Sequence, residues 1–263
     1  TVLIPLFLIL TQCKKDDEDP EYVIREYSEQ VNVDHQLLED YLRTHTFNYE
    51  DFVNQINVDV KIDTLTDFNS SRQSLYDLAN VKTINVTDSN GDNVSHNLYY
   101  IIAREGLNEK PSVADSVYIA YDGLLTDGYV FDNRKFPIWL DLANSLEGFR
   151  EGVSELKTGN FTENSNGTIS YTSFGVGIFF MPSGIGYFEN TSSGIPEYSP
   201  LLFSVKLMTY TPTDHDNDGI LSIFEDVDGD GKPFGDDSDG DNLWNMYDVC
   251  LLYTSDAADD CWS

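Results

Sequence analysis

The sequence predicts an α+β fold, with antiparallel strands curled over one short helix and an irregular acidic module after them. Three observations carry this expectation. Apolar residues alternate with polar ones at Val117, Ile119 and Tyr121, and at Leu201, Phe203, Val205 and Leu207, the two-residue period of half-buried strands. Leu142, Leu146, Phe149, Val153 and Leu156 recur at spacings of four and three, the signature of one helical face. Carboxylates crowd residues 214–248 after a stretch of ordinary composition, which marks a separate module.

Taken in order, Val2 to Leu10 is almost wholly apolar. It is too short to span a bilayer as a mature helix but suits the core of a secretory signal. Leu10-Thr-Gln-Cys13 resembles a bacterial lipobox, so residues 1–13 are expected to be a truncated lipoprotein signal with Cys13 lipidated. Lys14-Lys-Asp-Asp-Glu18 resembles the surface-export signal of Bacteroidetes lipoproteins. Residues 14–33 then read as a tether to a lipid anchor in the outer membrane of a bacterial cell envelope. Asp34 is expected to cap a helix running through Leu37, Leu38, Tyr41 and Leu42. Val58, Val60 and Ile62 read as a strand, as does Val81 to Val86, which leads into the hairpin turn Ser89-Asn-Gly-Asp92. The segment 34–93 has no legible role and too few apolar residues to fold alone, so it is expected to pack on the domain at 94–211.

Within that domain Leu98 to Ala103 is an apolar strand, and Asp127-Gly128 turns the chain into Tyr129 to Phe131. Gly148 and Gly152 each cost a helix about 1 kcal/mol relative to alanine and fit one that approaches a sheet closely. Asn164-Ser-Asn-Gly167 marks the turn of an extra hairpin within 160–175, beside the site. Residues 250–263 resemble a translated sequencing adapter and are expected to lie outside the fold. With Cys13 lipidated and Cys250 and Cys261 in that tail, no cysteine is left for a disulfide, a nucleophile or a zinc site; a Cys250–Cys261 bridge is open only to a native tail.

Acidic residues number 46 against 15 basic ones, a net charge of -31. Such a field repels nucleic acid and anionic lipid headgroups and attracts cations. His35, His45, His96 and His215 fall in no metal or triad spacing and read as surface or structural residues.

The sharpest signal is an ordered aromatic series. It runs Tyr121-Asp-Gly-Leu-Leu-Thr-Asp-Gly-Tyr-Val-Phe131-Asp132, Phe136, Glu147-Gly-Phe149-Arg-Glu-Gly152, Pro182-Ser-Gly-Ile-Gly-Tyr187, Gly194-Ile195-Pro196 and Leu201-Leu-Phe203. This series resembles the FKBP-type peptidyl-prolyl cis-trans isomerases. The resemblance implies their fold and a shallow apolar pocket for proline-containing polypeptides, with no cofactor for catalysis. Phe149 would be the pocket floor, and Tyr121, Phe131, Phe136 and Phe203 the walls. Asp132 would hydrogen-bond near the reacting end, while Tyr187 and the Leu146 backbone N–H would donate to substrate carbonyls. Ile195 would close one rim. The chain departs from the family's pattern at Phe149, where tryptophan is common, at Phe188, where glycine is usual, and in the longer segment 160–175. A second reading is therefore a module that holds proline peptides without turning them over.

The acidic module has its own pattern. Asp214, Asp216, Asp218, Gly219 and Glu225 fit positions 1, 3, 5, 6 and 12 of a calcium loop, with the Ile220 carbonyl as a further ligand. Asp226, Asp228, Asp230 and Asp237 repeat it, and Asp237, Asp239, Asp241 and Asp248 begin a third copy in which Asn242 replaces the turn glycine. The tandem register resembles thrombospondin type 3 repeats, so 214–249 is expected to bind structural calcium as a stalk or spacer. Magnesium is the alternative cation, and a disordered acidic tail the bland one.

Overall fold

The computed structural model describes residues 24–250 apart from 54–57, 68, 70, 89, 192 and 193. The expected signal with Cys13, the first part of the tether and the tail from residue 251 lie outside the described residues. Leu38 and Leu42 stand one helical turn apart and are wholly buried, and Gln30 and Asp34 continue their stripe upstream. All four belong to α1 (Tyr27–Thr44), which therefore begins inside the stretch expected to be a tether. Asp34 does not cap it: Ser183 and Gln30 donate to its carboxylate, which lets the residue sit within the helix.

β1 (His45–Phe47) and β2 (Ile62–Thr64) form a short antiparallel ribbon. Of the expected strand at 58–62 only Ile62 is paired, because β1 offers just three partners; Val58 is buried without being in a strand. α2 (Leu75–Leu78) follows behind a reciprocal cap between Ser74 and Asp77.

The remaining elements are β3 (Asn80–Thr87), β4 (Asn93–Arg104), β5 (Ser116–Leu125), β6 (Val130–Asp141), α3 (Glu147–Val153), β7 (Asn160–Glu163), β8 (Ile169–Thr172), β9 (Gly175–Met181) and β10 (Leu201–Thr211). Six of the strands make one antiparallel sheet in the order β3-β4-β9-β10-β5-β6. β3 is thus an integral strand, and the sheet begins well before the expected boundary at Val94. Between β3 and β4 the chain turns as expected: Gly91 takes φ +85°, and Asp88 Oδ1 accepts from the Asn90 and Asp92 N–H groups.

Every residue of the central strand β9 is buried, because both faces of the sheet are covered. Phe179 and Met181 join Val117, Ile119, Phe203 and Val205 in the core under α3. Val176, Ile178 and Phe180 point the other way, into a second core with Leu38, Leu42, Phe47, Phe52 and Leu75 of the N-terminal segment. Alternation along one strand thereby serves two layers.

α3 is shorter than the periodicity suggests. Leu146 is extended, with ψ 141°, so Leu142 and Leu146 precede the helix and Leu156 follows it, although Leu142 and Leu156 are wholly buried in the same core. The glycines behave as expected: a Cβ at Gly152 would lie 2.8 Å from the Phe179 ring, and one at Gly148 would lie 3.0 Å from Ile185. The extra hairpin is β7–β8, but Tyr171 carries it against Tyr118 on the N-terminal-segment side rather than beside the aromatic series.

The acidic module rests on α3 and on the end of β6. Lys232 pairs with Glu147 (2.9 Å) and Glu151 (3.2 Å), the Arg150 guanidinium lies 4.2 Å over the Phe234 ring, and His215 Nε2 is 3.3 Å from Asp141. Burial pushes the Glu151 carboxyl up, but Lys82 and Lys232 outweigh it and hold the group below its ordinary value. Cys250 is disulfide-bonded, against the expectation that no cysteine would be.

Candidate active site

Four elements converge on one cavity. β5 supplies Tyr121, β10 supplies Phe203 and α3 supplies Phe149; the start of β6 adds Phe131 and Asp132. The rings pack edge to face: Phe149 and Phe203 centroids are 4.9 Å apart at 71°, Phe131 and Phe203 5.5 Å at 85°, and Tyr121 and Phe149 5.8 Å at 68°. Gly123 makes this possible, since a Cβ there would come within 2.7 Å of Phe131 and 2.9 Å of Phe203.

The cavity has a volume of about 470 Å³. Leu146, Tyr187 and Ile195 complete the expected set on its wall, so eight of the nine residues named from the sequence line it together. Phe136 does not. Between Ile119↔Ile138 and Tyr121↔Arg134 the edge strand β6 carries more residues than β5, and the resulting bulge turns Phe136 out to 86% exposure. Arg134, Leu140, Asn144 and Ser145 line the cavity and were not foreseen. Leu140 carried a usable signal, its place in the alternation of β6; the other three come from a bulge and a loop whose paths no spacing reveals.

Polar groups are few and placed. Tyr121 donates its phenol to Asp132 Oδ2 at 2.7 Å, and Arg134 lies 3.2 Å from the other carboxylate oxygen. Burial pushes the Tyr121 hydroxyl up to about 12, helped by Asp132, so it remains a donor at neutral pH. The Leu146 carbonyl accepts from Phe149 and Arg150, while its N–H has no acceptor among the described residues. An aromatic box with a carboxylate at its mouth and free donors on its rim suits a flat, weakly polar ligand that presents carbonyl groups.

The acidic loops form three clusters, Asp214/Asp216/Asp218, Asp226/Asp228/Asp230 and Asp237/Asp239/Asp241, each with a carboxylate oxygen from every member within 4.8 Å of the others. The turns are left-handed at Gly219 (φ +100°) and Gly231 (φ +88°), and at Asn242 (φ +73°), a residue type that tolerates this region. Glu225 is only 1% exposed, and neither of its carboxylate oxygens has a hydrogen-bond partner among the described residues. Its burial, then Asp216, Asp218, Asp214 and Asp248, push it up to about 7. That orphaned carboxylate beside three others fits a hard divalent cation. The later copies differ from expectation. Asp236, rather than Asp237, carries the buried unpartnered oxygen under the charge of Asp228 and Asp226, and Asp248 acts on Glu225 of the first loop.

No protein-family model matches the chain. It is 30% identical over 124 residues to the FKBP-type peptidyl-prolyl cis-trans isomerase FkpA of Aeromonas hydrophila, covering 46% of this chain and 41% of that protein. It is 32% identical over 115 residues to a probable FkpA of Neisseria meningitidis serogroup B, covering 42% and 37%. It is also 32% identical over 114 residues to FK506-binding protein 1 of Dictyostelium discoideum, covering 41% of this chain and 94% of that protein. The chain thus spans about two-fifths of the length of the bacterial relatives it matches. Among solved structures, FkpA from Escherichia coli aligns with a TM-score of 0.37 at 29% identity, covering 49% of this chain and 52% of that one.

Proposed function

Because the chain belongs to the FKBP family, we propose that it is a peptidyl-prolyl cis-trans isomerase acting on proline-containing polypeptides. The edge-to-face box of Tyr121, Phe131, Phe149 and Phe203, with Tyr121 locked to Asp132, is the observation that carries this reading. Amide resonance sets a barrier of about 18–20 kcal/mol to rotation about an X-Pro bond. Catalysis then needs no nucleophile and no cofactor, only tighter binding of the twisted amide than of either planar form. Twisting breaks conjugation and weakens the carbonyl dipole, so a dry apolar floor at Phe149 favours the twisted state. In this reading Phe131 and Phe203 grip the prolyl ring, Tyr187 and the Leu146 N–H hold flanking carbonyls, and Ile195 closes the rim. The second reading, a peptide-holding module, is favoured by the phenyl floor at Phe149, which lacks an indole N–H.

The test is isomerisation of a proline tetrapeptide by the full chain. Phe131→Ala should lower kcat/KM by roughly tenfold or more, whereas Phe136→Ala should leave it within about twofold. Peptide binding without turnover in the wild type would replace the isomerase by the holding module.

The reading extends to the chain's surroundings. The first acidic loop would hold structural calcium through Asp214, Asp216, Asp218, the Ile220 carbonyl and Glu225, and the later clusters would bind further ions. The resemblance of Leu10 to Cys13 to a lipobox supports a lipid anchor at Cys13 and a place in the bacterial envelope, where exported polypeptides would be the substrates.

A further inference from the structure

Two cavity residues, Tyr187 and Ile195, stand on the connection between β9 and β10, whose one helical element among the described residues is the 3-10 turn Ser183–Ile185. A long connection of this kind is ordinarily a mobile part of a domain. Here α1 grips its first half, at Ser183 and at Phe188. Asp34, wholly buried, accepts from the Ser183 N–H (2.7 Å) and hydroxyl (2.6 Å) on one oxygen and from Gln30 Nε2 (2.7 Å) on the other. Tyr27 stacks on Phe188 with centroids 3.9 Å apart at 27°. Phe188 holds φ +51°, a conformation rare outside glycine, so some contact must keep its ring in place. Tyr198 closes the far end: its N–H donates to the Phe188 carbonyl (2.7 Å), its ring meets Phe188 edge-on, and its hydroxyl accepts from the Arg25 N–H (3.1 Å).

A helix that only covered the sheet would be served by apolar residues at 30 and 34, as it is at Leu38 and Leu42. A buried carboxylate is costly to desolvate unless donors surround it, and all three donors here hold either the segment or the helix to it. We propose that α1 is the positioning element of the active site: through Asp34 and Tyr27 it fixes Ser183 and Phe188, and through Phe188 it holds Tyr198, so that Tyr187 and Ile195 meet the bound peptide. The N-terminal segment thereby sets substrate affinity. This proposal rests on the isomerase reading.

The experiment uses the full chain with Asp34→Asn, Tyr27→Ala and Tyr27→Phe. Amide hydrogen exchange follows residues 183–198 beside α3, and a proline tetrapeptide reports KM and kcat. Asp34→Asn and Tyr27→Ala should speed exchange in 183–198 by roughly tenfold or more with α3 unchanged. They should raise KM about three- to tenfold with a smaller effect on kcat, and Tyr27→Phe, which keeps the stacked ring, should restore wild-type values. Should Asp34→Asn lose the sheet's protection, Ser183→Ala, which removes only the hydroxyl, carries the same test. Faster exchange with unchanged KM and kcat, or unchanged exchange in every variant, would overturn the proposal while leaving the isomerase intact. A wild-type chain that neither turns over nor binds the peptide would instead overturn the isomerase reading, and this proposal with it.

Discussion

A phenol held up near 12 by burial and by a carboxylate makes Tyr121 a fixed donor, and Asp132 is oriented by it. Tyr121→Phe should therefore cost about 1 kcal/mol of stability, read from the urea midpoint, and release the Asp132 carboxylate toward Arg134. His96 supplies a pH dependence. Its ring is buried beneath Gly184 and edge-on to Tyr27, and neither ring nitrogen has a hydrogen-bond partner among the described residues. Burial lowers its pKa below the ordinary 6.5, with Glu147 opposing. As pH falls through that value the unfolded chain takes up the proton first, so stability present above about 6.5 is lost below it. Urea midpoints measured from pH 7.5 to 5.5 should fall for the wild type and fall less for His96→Leu. At this scale the sequence was informative wherever order and neighbours constrain a side chain, as for Phe131 with Asp132. It was silent where a bulge decides direction: nothing around Phe136 distinguishes a wall residue from an exposed one.

Elements were legible as faces and poorly legible as lengths. The 142–156 periodicity identified the core under α3, yet the helix is only Glu147–Val153, because extended residues can deliver leucines to the same core as helical ones. α1 was visible through Leu38 and Leu42, but its start was obscured by Gln30 and Asp34, polar residues buried for reasons that lie across the molecule at Ser183. Gly152 gives a test at this scale. In an exposed helix alanine for glycine would stabilise by about 1 kcal/mol. Here the added methyl meets the Phe179 ring, and Gly152→Ala should instead destabilise by about 1–3 kcal/mol, lowering the melting temperature.

At the scale of the whole molecule, residues 214–248 carry twelve carboxylates against one lysine, the densest part of a net charge of -31, and cations can relieve it there. Extracellular calcium modules bind at roughly 10⁻⁴–10⁻³ M, so about 10 mM calcium should stabilise each occupied loop by about 1.4–2.7 kcal/mol. Calorimetry of the full chain with calcium and with chelator measures this, and Glu225→Gln should remove the first loop's part of the effect. Lys232 and Phe234 join the module to α3, and His215 joins it to Asp141 at the end of β6, so protection from exchange should spread there as well. That both sheet faces are covered has a further consequence, a kinetic one. Asp34 and its partner Ser183 are separated by 149 positions, and β9, the strand that both cores need, is made late in the chain. During synthesis an amphipathic helix with Leu38 and Leu42 exposed emerges long before the surface that receives it. So many distant closures place folding in the millisecond-to-second range, and a nascent chain of this layout is at its most vulnerable to aggregation before β9 arrives.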